Sequence, residues 1–134
     1  MSFPGKILLV DDEAHIRKFV SLILRQISQP VIVEAGNGED ALKTYQAEKP
    51  ELVLLDVNMP RMDGMETLRR LKEIDPDCVV VMLTSLANRE SVERALELGA
   101  ANYIRKDTPK DEIAKALTDI FAEPGTDEAP PSTP

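Results

Sequence analysis

An α/β protein is the fold class this sequence predicts: a doubly wound (βα)₅ chain with five parallel strands and helices on both faces of the sheet. Three observations carry that reading. Residues 6–10 (Lys-Ile-Leu-Leu-Val) and 52–55 (Leu-Val-Leu-Leu) are short, continuous apolar runs, as in strands covered on both faces. Between such runs lie stretches with apolar residues at helical spacing, and this strand–helix alternation recurs five times along the chain. Finally, Asp11 and Asp12 end the first run and Asp56 ends the third, at the rim where open α/β sheets bind ligands.

Each element has its own sequence warrant. Residues 6–10 make the first strand, and the first helix follows with Ile16, Phe19, Val20, Ile23, Leu24 and Ile27 on one stripe. Residues 31–35 give a short second strand, and the Gly36-Asn37-Gly38 turn leads into a second helix with Leu42 and Tyr45 inward. The third strand stops at Asp56. Helix three begins at Asp63, has Glu66 placed as in a capping box, and sets Met65, Leu68 and Leu71 on one side. Strand four covers 78–83, and helix four, with Val92, Ala95 and Leu96 inward, ends at Gly99. A brief fifth strand lies near 101–105. The last helix opens with Thr108 as N-cap and Pro109 in first position, then presents Ile113, Ala116, Leu117, Ile120 and Phe121.

One domain, residues 1–121, accounts for all of these elements. From 122 to 134 the chain holds four of its ten prolines, three acids and no large apolar residue, the composition of a disordered tail. The formal charge of −8 disfavours direct nucleic-acid binding, which wants a basic face. No apolar stretch approaches the length of a membrane span and no signal peptide is visible, so the expected setting is the cytoplasm, away from membranes. Cys78, the single cysteine, reads as a small buried hydrophobe, and His15 as a surface residue.

The carboxylates set the chemistry. Asp11, Asp12 and Asp56 gathered at one rim repel one another unless a hard divalent cation neutralises them, and Mg²⁺ prefers oxygen ligands of this kind. Asn58 lies two residues past Asp56, within reach to offer the ion a backbone carbonyl. Thr84 ends the fourth strand and Lys106 follows the fifth, adding a hydroxyl and an ammonium. Acids, a metal, a hydroxyl and a lysine together suit a phosphoryl group, with Asp56 as the nucleophile that forms an aspartyl-phosphate. Met59-Pro60 and Asp63-Gly64 are turn chemistry that closes the loop after Asp56. The plainer alternative makes Asp11 and Asp12 caps of the first helix.

The chain resembles the receiver domain of two-component response regulators, and most of all the stand-alone receivers of the chemotaxis-regulator type. The matching pieces are Leu-Val-Asp-Asp at 9–12, Asp-Val-Asn-Met-Pro at 56–60, Met-Asp-Gly-Met at 62–65, Thr84-Ser85, Gly99-Ala100 with Tyr103, and Lys106. By that resemblance the strand order is the flavodoxin-like 2-1-3-4-5. Asp56 matches the phosphoacceptor. Asp12 matches a direct metal ligand, Asp11 one acting through water, and the Asn58 carbonyl a further ligand. Thr84 and Lys106 match the phosphoryl contacts, and Tyr103 the aromatic switch that turns inward as Thr84 moves.

A sensor histidine kinase is the implied donor. The implied readout is an unidentified protein target at the face of helix four, strand five and helix five, where Arg89, Arg94, Lys110 and Lys115 lie.

Two positions depart from the family pattern. Asp107 stands where the family usually has proline, which places an extra acid near the phosphoryl site. Ser85, with Leu86 after it, replaces a smaller residue and implies a longer-lived phospho-form. Two other functions fit the same scaffold. One is a phosphorylation-independent docking module. The other is a Mg²⁺-dependent aspartyl-phosphate phosphatase, which normally needs an acid where this chain has Asn58. A flavodoxin is disfavoured, because the first loop holds acids and no phosphate cradle.

Overall fold

Ile7 and Leu9 point to one side of the first strand and Leu8 and Val10 to the other, and all four are buried, so both faces of the sheet are covered. A computed structural model describes residues 4–57, 62–84 and 88–120. In chain order the elements are β1 (Lys6–Val10), α1 (Ala14–Ile27), β2 (Val31–Ala35), α2 (Gly38–Glu48), β3 (Leu52–Leu55) and α3 (Gly64–Ile74), followed by β4 (Val80–Thr84), α4 (Arg89–Glu97), β5 (Asn102–Arg105) and α5 (Lys110–Ile120). All strand pairs are parallel and the order is β2-β1-β3-β4-β5. The (βα)₅ alternation and the 2-1-3-4-5 order therefore both hold.

Two apolar layers sandwich the sheet. Ile7, Leu9, Leu52, Leu54, Val81 and Leu83 pack against α1 and α5 through Val20, Ile23, Leu24, Ile113 and Leu117. Leu8, Val10, Val53, Leu55, Val80 and Met82 meet Ala41 and Tyr45 of α2, Leu68 and Leu71 of α3 and Ala95 of α4. Cys78 belongs to this second layer, and burial pushes its thiol up, as befits an inert packing residue.

The helix ends follow their side chains. Asn37 accepts from the Asp40 amide at 2.9 Å and Asn88 from the Ser91 amide at 2.8 Å, satisfying the first donors of α2 and α4. At the other end of α4, Gly99 sits at φ +107, the Gly99 amide donates to Leu96 and the Ala100 amide to Ala95. This pair of bonds is a Schellman ending, so Gly99 is the stop the sequence implies.

Several details differ from the expectations. Phe19 and Leu96 fall on the apolar stripes of α1 and α4, yet 42 % and 49 % of their surfaces are exposed, so the covered part of each stripe is narrower than the helical spacing implies. Strand four runs to Thr84 and begins two residues later than 78. Helix α5 starts at Lys110, one residue late. The Thr108 amide is drawn back to Arg105, and it is the Pro109 carbonyl that accepts the first helical bonds from Glu112 and Ile113. The expected tail at 122–134 lies outside the described residues. Among the described residues, no helix is long and apolar enough to cross a membrane.

Candidate functional site

Strand register brings the acids together. Val10 lies beside Leu55 in the β1–β3 ladder, so the next residue of each chain, Asp11 and Asp56, emerges at the same rim. The Asp56 amide donates to the Val10 carbonyl at 3.0 Å, and the Asp11 amide to the Ala35 carbonyl at 3.1 Å, which extends the sheet's bonding by one residue past each strand. Asp11 and Asp56 are each only 3 % exposed, whereas Asp12 is open to solvent. Carboxylate oxygens of Asp11, Asp12 and Asp56 all lie within 4.8 Å of one another.

Lys106 crosses this cluster from the far side. Its Nζ is 2.6 Å from Asp11 Oδ2 and 3.2 Å from Asp56 Oδ2. The Lys106 amide donates to the Thr84 carbonyl at 2.8 Å, which anchors the end of β5 to the end of β4. Burial pulls the ammonium down, but its hydrogen bond to Asp11 and the charge of Asp56 outweigh it and hold Lys106 above the usual lysine range. Thr84 is fully buried at the last position of β4.

The capping alternative for the acid pair does not describe α1. Its N-cap is Glu13, with no side-chain cap bond. Asp11 Oδ1 accepts from the Glu13 amide at 2.9 Å, which shapes the loop and leaves Oδ2 facing Lys106. Asp63 and Gly64 are likewise not a free-standing turn. Asp63 caps α3 by accepting from the Glu66 amide at 2.9 Å, and Gly64 is the first helical residue. Its amide donates to the Val57 carbonyl at 2.8 Å, and a Cβ there would lie 2.1 Å from the Asp56 carbonyl oxygen. Glycine is needed because backbone passes over backbone beside Asp56. Glu66, expected in a capping box, instead binds Arg69 and Arg70, whose hydrogen bonds hold its carboxyl down to about 2.

Three carboxylates of which two are buried, at one strand rim, form an oxygen donor set that fits a small hard cation such as Mg²⁺. Asn58, expected to add a backbone carbonyl, lies outside the described residues, as do Met59, Pro60, Ser85 and Leu86.

Tyr103 is partly buried and packs on the layer shared by α2, α3 and α4. Its hydroxyl shares a hydrogen bond with Ser91 of α4. Burial raises the phenol, the Ser91 bond opposes this, and the charge of Asp56 adds to the rise. Asp107 bonds Arg105 at 2.6 Å with both side chains mostly exposed, so the extra acid is turned to the surface and not into the cluster. On the face of α4, β5 and α5, Arg89 and Lys115 are already paired with Glu93 and Asp119.

Sequence reading missed Ser91 and Arg17. Arg17 of α1 donates from Nη1 to the Asp11 carbonyl at 2.6 Å and from Nε to Glu34 at 2.7 Å. Neither has a local signature, since each partner comes from a different element.

Comparison with known proteins places the same features in context. The response regulator receiver domain matches residues 7–118. The chemotaxis protein CheY of Listeria monocytogenes is 36% identical over 112 residues, covering 84% of this chain and 94% of that one. The transcriptional regulatory protein PdtaR of Mycobacterium tuberculosis is 38% identical over 105 residues, 77% of this chain but 50% of PdtaR. Among solved structures, CheY in the CheX-CheY-BeF3-Mg+2 complex from Borrelia burgdorferi superposes with a TM-score of 0.85 at 28% identity, covering 90% and 92% of the two chains.

Proposed function

The chain belongs to the response regulator receiver family, and from that membership we propose that it works as a phosphorylation switch whose acceptor is Asp56. Receivers as a family act as phosphoacceptor switches. The observation that carries the assignment to these residues is the convergence of Asp11, Asp12 and Asp56 within 4.8 Å, with Lys106 bridging two of them.

The donor is a phosphohistidine on a sensor histidine kinase. An Asp56 carboxylate oxygen attacks phosphorus in line, the P–N bond breaks, and the imidazole leaves with the electron pair and takes up a proton. Asp11, Asp12 and Asp56, with the Asn58 carbonyl, would hold Mg²⁺, which when bound offsets charge on the acceptor and the transferring group. Support for that ion comes from the donor set and from the Borrelia burgdorferi neighbour, which was solved with BeF3 and Mg+2.

Lys106 exchanges part of its pairing with Asp56 for the new phosphoryl oxygens, and the Thr84 hydroxyl donates to another. This draws β4 and β5 together at their ends and favours one state of Tyr103, a bias on an equilibrium the folded chain already samples. The readout is a protein target on the face of α4, β5 and α5, in the cytoplasm. As an acceptor and not a turnover catalyst, the chain is a switch protein rather than an enzyme. In this reading residues 1–121 make up the receiver, of which 7–118 match the family.

Incubation with acetyl phosphate and Mg²⁺, followed by intact-mass spectrometry, tests the acceptor. The wild type gains one phosphoryl group, and Asp56→Asn gains none. Labelling retained in Asp56→Asn, or labelling indifferent to chelation of Mg²⁺, refutes the assignment.

A further inference from the structure

Asp11 has four polar groups, and the fold engages every one. Its amide donates to Ala35 of β2, its Oδ1 accepts from Glu13, its Oδ2 faces Lys106, and its carbonyl accepts from Arg17 at 2.6 Å. The first three bonds follow from sheet extension, loop shape and the site itself. The fourth is supplied by a side chain that touches none of the acids' carboxylates.

Arg17 reaches that carbonyl because a second arm fixes it. Nε donates to Glu34 of β2 at 2.7 Å while Nη1 donates to Asp11, so one planar guanidinium spans α1, β2 and the loop that follows β1. The Arg17 side chain is 20% exposed against 49% for Glu34, so the brace is seated over the loop and not spread in solvent. Asp12 comes immediately after the braced carbonyl and has an exposed side chain. Its direction therefore depends on how firmly the peptide before it is held.

We infer that Arg17 is a positioning residue for the cation site. By pinning the Asp11 carbonyl, it fixes the Asp11–Asp12 peptide so that both carboxylates meet Asp56. This inference rests on the cation reading of the acid cluster given above. Arg17 acts through the loop and contacts no metal or phosphoryl group. Its charge alone would work the other way: a guanidinium near a divalent site repels the ion, so losing it should tighten binding. Positioning and charge thus predict opposite signs, which makes the assignment sharp.

The test is a Mg²⁺ titration of the full chain followed by backbone amide shifts of Asp11, Asp12 and Asp56, with amide hydrogen exchange of Asp12 and Glu13 measured without metal. Dissociation constants are read on folded molecules, so a role in stability alone leaves them unchanged. Arg17→Ala should weaken Mg²⁺ about tenfold, the low end of what losing an outer partner of a metal ligand costs, and should speed exchange at Asp12 and Glu13. Arg17→Lys keeps the charge and nearly the volume, so it folds. Its single nitrogen lacks the rigid planar fork that holds Glu34 and the Asp11 carbonyl at fixed spacing, so this variant should also bind Mg²⁺ more weakly than wild type.

Tighter or unchanged binding in Arg17→Ala overturns the inference while leaving the cation site intact. Wild-type binding in Arg17→Lys overturns the two-armed brace. A wild-type chain that fails to bind Mg²⁺ at all overturns the cation reading itself, and this inference with it.

Discussion

Replacing Lys106 by methionine removes an ammonium that lies against two buried carboxylates, at 2.6 Å from Asp11 and 3.2 Å from Asp56. At an effective dielectric near 20, those separations correspond to gross attractions of about 6 and about 5 kcal/mol. Removing the ammonium recovers several kcal/mol of desolvation, but Asp11 and Asp56 then lose the Lys106 charge that offsets their mutual repulsion. The expected net loss is about 3–5 kcal/mol, the usual cost of breaking a buried pair from one side, out of a total of about 5–15 kcal/mol for a domain.

Urea unfolding followed by far-ultraviolet circular dichroism, near neutral pH and with the metal chelated, reads this directly. With a slope of about 2 kcal/mol per molar, the midpoint should fall by about 2 M. One control shares the same cause. Millimolar Mg²⁺ should return much of the loss, because it supplies the missing charge. A chelated variant whose midpoint stays within about 0.3 M of wild type would mean that the cluster bears no unrelieved charge, and the electrostatic account of the site would be wrong.

Two further outcomes follow from the same geometry. Gly64→Ala drives a Cβ to within 2.1 Å of the Asp56 carbonyl oxygen and 2.6 Å of Val57 Cα, and backbone cannot step aside as a flexible side chain can. It should cost about 1–3 kcal/mol, as overpacking does, and slow acetyl phosphate labelling of Asp56; a variant with wild-type stability and labelling rate contradicts the close approach. At alkaline pH, Lys106, Tyr45 and Tyr103 all keep their protons longer in the folded chain than in the unfolded one. For Tyr45 the causes are burial first and then its bond to Asp75 at 2.8 Å. Stability from these groups is whole below their ordinary values, 10.0 for the tyrosines and 10.5 for lysine, and is lost as pH rises through the higher folded values. Denaturant midpoints measured from pH 8 upward should fall, less steeply in Tyr45→Phe; a flat profile refutes the assignment.

Much of this was legible in the residues because the relevant signals are local. Strands covered on both faces must be continuously apolar, so residues 6–10 and 52–55 announce β1 and β3, and the acids after them announce the rim. Asp63 and Asn37 cap their helices through bonds to residues three places on, a span that sequence patterns capture. What stayed hidden depends on backbone acceptors or distant partners. Arg17 looks like any charge on the outer side of α1, since neither the Asp11 carbonyl nor Glu34 marks it in the sequence. Gly64 reads as a turn residue, and only the crossing of α3 over Asp56 reveals why no side chain fits. Helical spacing puts Phe19 and Leu96 inward, but how far a neighbouring layer extends decides what is covered. The proline of α5 shifts by one place because the Arg105–Thr108 turn takes up a residue before the helix opens.

The pairing of Val10 with Leu55 has an evolutionary corollary. Because Asp11 and Asp56 owe their shared rim to that alignment, insertions in the connections at the opposite rim of the sheet should leave the chemistry alone. Loss of a single residue inside β1 or β3 should abolish it at once, since either the side chains on one side of the gap change faces or the terminal acid slips out of step with its partner. Length variation in chains of this kind should accordingly accumulate in the connections and be purged from these two strands.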